Sequence, residues 1–119
     1  MADFNVTTRG VGPVRVIDLK GYLDAHTAPE LEQEFNKLID HNDYKVVVNF
    51  DELKYISSAG LGVFMAYVET MRENKGDIKF SNMQDDVFNI FDLLGFPVLY
   101  EFFKDEKEAI EKFNQKEKS

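Results

Sequence analysis

Cysteine is absent from this 119-residue sequence, and histidine occurs only twice. Without thiols the chain has neither disulfides nor thiolate metal sites. Neither His26 nor His41 stands at a metal-ligand spacing from another donor. No apolar run approaches the roughly 18 residues of a membrane span, and the first four residues lack the features of a signal peptide. We therefore expect no metal, no cofactor, no leader and a cytoplasmic location.

Positive charge is scarce, because 14 Lys and Arg stand against 22 Asp and Glu, for a formal net charge of -8. Such a chain is repelled by a phosphate backbone and by an anionic leaflet, which argues against nucleic acid and membrane surfaces as partners. Hydrophobic residues still make up 44% of the sequence. At this length a chain buries roughly 65% of its unfolded surface. We expect one domain over residues 1–119, with a loose polar tail at about 114–119.

Strand-like and helix-like segments follow one another in a regular order. Two strands joined by a Gly/Pro turn predict an antiparallel hairpin at Phe4–Thr8 and Val14–Leu19. Three further strands, separated by helices, are predicted at Lys45–Phe50, Ile78–Phe80 and Leu99–Phe103. This order predicts an α/β fold in which about four helices pack on a mostly parallel mixed sheet with an opening antiparallel hairpin.

The predicted helices have apolar residues at three- and four-residue steps, and several have boundary signals. Thr27 is the predicted cap of the first helix, and Gly76 the predicted left-handed stop of the second. Gly95 and Pro97 are predicted to end the third, and Asp105–Phe113 forms the last. The apolar stripe of the second helix consists of Leu61, Phe64, Met65, Val68 and Met71.

The most informative stretch is Asn49–Phe64, which leads from a buried strand into the start of a helix. Ligand sites in open α/β sheets favour the carboxyl ends of strands, and a helix start stabilises a phosphate on a serine there. Gly60 and Gly62 each cost about 0.8–1 kcal/mol relative to Ala in a helix, and they permit close approach by a neighbouring segment or by a partner. Leu61 and Phe64 are expected to lie partly outward beside the serines, although a core position is the commoner outcome.

Simpler interpretations compete with a functional one. Ser57 or Ser58 is expected to cap the second helix, a role worth about 1 kcal/mol. The Gly-Leu-Gly pattern lacks the lysine of a nucleotide loop, and Ser58 lacks the Gly-x-Ser-x-Gly elbow of hydrolases. Asp51 and Glu52 are adjacent acids typical of an exposed turn. The sequence therefore predicts that the chain is not an enzyme; a hydrolase using Ser58 would need a base within hydrogen-bond reach.

Three segments together resemble the STAS-domain anti-sigma factor antagonists of bacteria, namely Gly21–Pro29, Val46–Asp51 and Tyr55–Val63. The similarity in length, element order and motifs covers nearly the whole chain. The resemblance implies a STAS fold and a partner-switching mechanism. In that mechanism the unphosphorylated antagonist binds an anti-sigma factor that is also a serine kinase, which frees a sigma factor. The kinase then phosphorylates the antagonist, and a metal-dependent serine phosphatase resets the cycle.

The resemblance also implies which residues carry the switch. The phosphoacceptor is the serine two residues before Gly-Leu-Gly, here Ser58, and an acidic residue near the same surface corresponds to Asp24. Many members have Asp before the acceptor and Ser or Thr after it, whereas this chain has Ser57 and Ala59, so Ser57 is a rival acceptor. The implied partner-binding residues are Asp24, Ser57, Ser58, Ala59, Gly60, Leu61, Gly62 and Phe64.

A second interpretation comes from another class of protein. The chain could serve as a STAS subunit that docks constitutively on a membrane transport complex, with no phosphate cycle. The length of the chain and the serine before Gly-Leu-Gly favour the antagonist. We expect the protein to be a monomer or a weak dimer.

Overall fold

The computed structural model describes residues 3–116, which form a five-stranded sheet in the order β1-β2-β3-β4-β5. Strands β1 (Phe4–Val11) and β2 (Val14–Leu23) pair antiparallel as a hairpin. Strands β3 (Lys45–Ile56), β4 (Asp77–Ser81) and β5 (Phe102–Phe103) then add in parallel, each beside the one before. The predicted α/β fold, a mostly parallel sheet opened by a hairpin, is confirmed.

Helices connect the parallel strands and cover both faces of the sheet. The described residues form the helices α1 (Ala28–Asp40), α2 (Ser58–Glu73), α3 (Asp85–Leu93), α4 (Phe96–Leu99) and α5 (Glu106–Lys116). Helix α5 includes residues 114–116 of the stretch expected to be a loose tail. The rest of that stretch, and the first two residues, lie outside the described residues.

Strand β3 shows how the sheet divides the core between its two faces. Val46 and Val48 contribute to the larger cluster, which includes buried residues of α1, α2 and α3. Val47 contributes to a smaller cluster with Ala109 and Phe113 of α5. This separation follows from the two-residue period of a strand, in which successive side chains point to opposite faces.

Packed phenylalanine rings fill the larger cluster. The Phe50 ring lies edge-on to the rings of Phe80 and Phe91, with centroids 5.3 and 5.5 Å apart. Phe64 of α2 meets Phe80 at 5.1 Å. Edge-to-face pairs at these distances stabilise a core by about 0.5–1.5 kcal/mol beyond area burial. These contacts fix α2 on the sheet.

Polar contacts dock α5 on the opposite face. Arg9 forms an ion pair with Glu106, and Asn49 Nδ2 donates to Glu106 Oε1 at 3.0 Å. The Arg9 guanidinium holds the pKa of Glu106 below its usual range. Lys79 is fully buried, and its Nζ lies 4.6 Å from the centroid of the Phe113 ring. The amino end and the last described turns of α5 are therefore both held against the sheet.

The last predicted strand is wrong at its amino end. Leu99 closes helix α4, and the strand is limited to Phe102 and Phe103. Gly95 adopts a left-handed φ of 78°, which turns the chain out of α3 as predicted. Pro97, predicted to end a helix, instead occupies the first turn of α4, where its missing N–H costs nothing.

The predicted left-handed stop at Gly76 is also wrong. The left-handed residue after α2 is Lys75, with a φ of 67°. Gly76 is required for a different reason, because a Cβ there would lie 1.8 Å from the carbonyl oxygen of Tyr44. The glycine permits two backbone segments to touch where α2 turns back into β4.

Candidate functional site

Strands β2 and β3 end side by side at the edge of the sheet where α1 and α2 begin. Leu23 pairs with Ile56 at the last register position. One residue further, Ser57 N donates to Leu23 O at 2.9 Å. Asp24 and Ser57 directly follow the paired residues, so the structure brings the predicted acid and the predicted serines to the same edge.

Asp24 shapes the turn into α1. Its Oδ1 accepts hydrogen bonds from the N–H groups of His26, at 2.9 Å, and Thr27, at 3.1 Å. Thr27 is the N-cap residue as predicted, but its hydroxyl makes no capping bond and donates instead to Tyr22 O at 2.9 Å. The Asp24 carboxylate thus has a structural role, and it remains half-buried beside the start of α2.

The two adjacent serines occupy different environments. Ser57 is the N-cap of α2, yet its side chain makes no capping hydrogen bond, contrary to the expected role of a serine there. Its Oγ is buried and has no hydrogen-bond partner among the described residues. Ser58 is the first residue of α2, and its side chain is exposed. Ser58 is therefore accessible at the surface, whereas the Ser57 hydroxyl is shielded from solvent.

The two glycines of the first turns serve different purposes. A Cβ at Gly60 would lie 2.7 Å from Leu23 Cγ and 3.0 Å from Ile56 Cγ1, so the helix packs directly on the ends of two strands. A Cβ at Gly62 would meet nothing within 4 Å. Gly60 is required by the fold, whereas Gly62 leaves open space on the exposed side of α2.

The expectation that Leu61 and Phe64 lie partly outward is wrong. Both are buried, with exposed fractions of 4% and 0%, and Phe64 packs against the rings of Phe35 and Phe50. The large apolar residue that α2 exposes is Met65, at 59%. Its spacing grouped it with the core stripe, but position 65 is also seven residues after Ser58, two helical turns along the same face.

The exposed first half of α2 presents a surface of small side chains, which we call the α2 face. It consists of Ser58, Ala59, Gly62, Met65 and Ala66. None of these side chains is titratable near neutral pH, and no described hydrogen bond joins Ser58 to a histidine or a carboxylate. The α2 face therefore lacks the base that a serine hydrolase needs. Its chemistry suits contact with another protein.

Two features are absent from residues 3–116. No group of three or more His, Cys, Asp or Glu in this part of the chain is arranged to hold a metal ion. None of the helices in the same residues is long and apolar enough to span a membrane.

Comparisons with known proteins agree on one family. The family model of the STAS domain matches residues 5–109. The anti-sigma-B factor antagonist of Staphylococcus aureus (strain NCTC 8325 / PS 47) is 24% identical over 93 residues, which span 78% of this chain and 86% of that protein.

Solved structures share the fold at low sequence identity. The anti-sigma factor antagonist SpoIIAA in its unphosphorylated form has a TM-score of 0.82 at 21% identity, and the alignment covers 93% of this chain and 97% of that one.

 The alignment with unphosphorylated SpoIIAA therefore spans nearly the full length of both proteins. SpoIIAA in its phosphorylated form has a TM-score of 0.70 at 21% identity. The murine Solute Carrier 26 family member A9 anion transporter matches over 90% of this chain and 18% of its own length, with a TM-score of 0.73 and 10% identity. At these identities the likeness shows the fold alone.

Proposed function

The chain belongs to the STAS domain family, and from that premise we propose that it is an anti-sigma factor antagonist switched by phosphate on Ser58. Unphosphorylated, its α2 face binds an anti-sigma factor that is also a serine kinase, and a sigma factor is released. Phosphorylation of Ser58 ends this complex, and a serine phosphatase restores it. We place this cycle in the cytoplasm and assign no catalysis to the chain itself.

The covalent steps of the cycle involve only the Ser58 hydroxyl. Ser58 Oγ attacks the γ-phosphorus of ATP, loses its proton and forms an O–P bond while the bond to ADP breaks. In the reset, water attacks the phosphorus, and inorganic phosphate leaves the regenerated hydroxyl. Both reactions belong to partner enzymes, since the α2 face holds no base of its own.

The observation that carries the proposal is the exposure of Ser58 in the first turn of α2. The first backbone N–H groups of a helix lack partners within the helix, and they carry a partial positive charge. A phosphate on Ser58 would lie beside them, so the fold would tolerate it. The buried Ser57 hydroxyl offers no comparable access, which favours Ser58 as the acceptor.

The same phosphate would oppose binding of the partner. It adds about -1.5 to -2 charges, which must be desolvated in the interface or meet acidic groups of the partner. Like charges about 4 Å apart at an effective dielectric of about 20 repel by roughly 4 kcal/mol, close to a thousandfold in affinity. The docking surface is then the α2 face with Asp24 beside it, while Gly60, Leu61 and Phe64 support it from beneath.

The test uses Ser58→Ala, Ser58→Asp and the matched control Ser57→Ala. The kinase that co-purifies with the wild-type protein is incubated with each variant and ATP, and phosphate incorporation and complex formation are measured. We expect Ser57→Ala to behave as wild type, Ser58→Ala to bind persistently without accepting phosphate, and Ser58→Asp to bind weakly. Full phosphorylation of Ser58→Ala would contradict the proposal.

A second candidate is a STAS subunit that docks on a membrane transport complex. The shared fold with the anion transporter supports this candidate. Constitutive docking through the α2 face would need no phosphate. Co-purification of a permease or transport ATPase, rather than a kinase, would favour the transport subunit, particularly if Ser58→Ala neither strengthened nor prolonged the complex.

A further inference from the structure

An apolar patch interrupts the polar surface where α3 ends and α4 begins. The exposed fractions are 86% for Leu93, 59% for Leu94, 88% for Val98 and 59% for Leu99, and we call these four residues the α3–α4 patch. Single exposed apolar side chains are ordinary on protein surfaces. Four within seven residues form a cluster of the kind that marks an interaction site.

The α3–α4 patch is held in place from its inner side. Phe96 is buried, and its ring stacks on Tyr100 and meets Phe91 edge-on, with both centroid distances 5.1 Å. Arg72 Nη2 donates a hydrogen bond to Leu99 O at 2.5 Å. A surface fixed in this way loses little conformational entropy when a partner binds.

The segment that carries the α3–α4 patch contributes only acidic charges of its own, and one of these acids, Glu101, is paired with Lys79 and Lys112. Between Asn82 and Phe103 the sequence contains no lysine or arginine. The acids in that stretch are all exposed, and they are Asp85, Asp86, Asp92 and Glu101. The neighbouring guanidinium of Arg72 is paired with Asp77, at 2.8 Å. An acidic surround attracts a cationic partner, and it would repel both an anionic membrane and the identical surface of a second copy.

The small size of the α3–α4 patch indicates that its partner binds through a short segment. A standard protein–protein interface takes about 20–30 residues from each side, far more than four. An amphipathic helix, by contrast, inserts only a few apolar anchors, spaced three or four residues apart. We propose that the α3–α4 patch is a second docking site, which binds a short basic amphipathic helix of a partner protein.

This second site lies far from the serine switch. Arg72, which contacts Leu99 O, belongs to the last turn of α2, and Ser58 begins the same helix. At a rise of 1.5 Å per residue the two positions are about 21 Å apart along the helix axis. The Debye length at physiological salt is about 8 Å. A phosphate on Ser58 therefore leaves binding at the α3–α4 patch unchanged.

The experiment titrates the full ¹⁵N-labelled chain with a synthetic amphipathic peptide of leucine and lysine, and with a control peptide of leucine and glutamate. We expect the lysine peptide to shift the amide signals of residues 92–100, and the glutamate peptide to bind at least tenfold more weakly. The double variant Leu93→Gln/Val98→Gln weakens binding at least tenfold. The matched control Met65→Gln, at an exposed apolar residue of α2, stays within twofold of wild type, as does Ser58→Asp.

Several results would overturn this proposal. Equal binding of the glutamate peptide would remove the argument from charge, and shifts centred on the α2 face would place the site elsewhere. Sedimentation showing a dimer that Leu93→Gln/Val98→Gln abolishes would make the occupant a second copy. Binding to phosphatidylcholine vesicles, abolished by the same variant, would make it a lipid surface. Phosphate transfer to Ser58 is measured separately, so either proposal can fail without the other.

Discussion

The two ends of helix α2 are held in very different ways. At its start, the Ser57 hydroxyl has no partner among the described residues, and Ser58 is exposed. At its end, Arg72 Nε donates to Asp77 Oδ1 at 2.8 Å, and Asn74 Nδ2 donates to Thr70 O at 2.8 Å. The core face, which includes Gly60 and Leu61, and the last turn anchor the helix. The exposed side of the first turn, where Ser58 lies, can therefore change partners or accept a charge without loss of the fold.

The largest effect is expected just beyond the anchored end, at Gly76. In Gly76→Ala the new Cβ would collide with the Tyr44 backbone, 1.8 Å from its carbonyl oxygen. We expect a loss of about 3 kcal/mol in the free energy of unfolding, measured by urea denaturation. The control is Lys75→Gly, which relieves a left-handed φ of 67° and should not destabilise the protein. Equal stability of Gly76→Ala and wild type would show that this end is not tightly held.

A smaller effect is expected at the amino end of α2, where substitutions at the two glycines should change stability in opposite directions. Gly60→Ala would place a Cβ 2.7 Å from Leu23 Cγ, a side chain that can shift, and we expect a loss of about 1–3 kcal/mol. Gly62→Ala meets nothing within 4 Å and should gain about 0.8–1 kcal/mol from helix propensity. Thermal and urea unfolding of the two variants measure this difference. Similar losses in both would mean that the exposed face of α2 is packed.

The next effect concerns the serine at the helix boundary. Because the Ser57 hydroxyl is buried and makes no capping bond, Ser57→Ala should leave the free energy of unfolding unchanged or raise it by up to about 1 kcal/mol. A serine that capped the helix would instead lose about 1 kcal/mol on this change. A loss of that size in urea unfolding would show that the Ser57 hydroxyl does cap the first turn.

The smallest effect on stability at neutral pH is expected at Tyr100, near the carboxyl end of α2. The Arg72 guanidinium of that helix end lies 5.4 Å from the centroid of the Tyr100 ring. Burial raises the pKa of Tyr100 from 10.0 to about 12. The neutral phenol is therefore favoured in the folded state, and its contribution to stability is complete below about pH 10. As pH rises from there through the folded pKa, that contribution is lost.

Tyr100→Phe provides the comparison for this pH dependence. The variant should unfold like wild type at pH 7, and it should lack the part of the alkaline stability loss that comes from this phenol. Urea unfolding across the alkaline range measures the difference. Parallel pH profiles for the two proteins would contradict the raised pKa.

The sequence predicted the order of elements because strand and helix periodicities alternate cleanly after the hairpin. It missed α4 because Leu99 begins an apolar aromatic run that is typical of a strand. The short helical turn depends on Gly95 and Pro97, together with the packing of Phe96 against Phe91. Tertiary contacts of this kind are not visible in local periodicity.

At the site, the sequence placed the serines at the start of α2 but could not distinguish their environments. Whether Ser57 or Ser58 turns inward depends on how the helix is rotated on the sheet. The packing of Gly60 against Leu23 and Ile56 sets that rotation. Helix rotation also decides the position of Met65. Its spacing of three or four residues from other apolar residues grouped it with the core stripe, but that spacing does not distinguish a buried residue from an exposed one.

The most direct test of the serine switch is tandem mass spectrometry of the protein isolated from its native cells, with every phosphorylated residue mapped. The account predicts phosphate on Ser58 and an unmodified Ser57. Phosphate confined to Ser57, or to residues away from the first turn of α2, would contradict it.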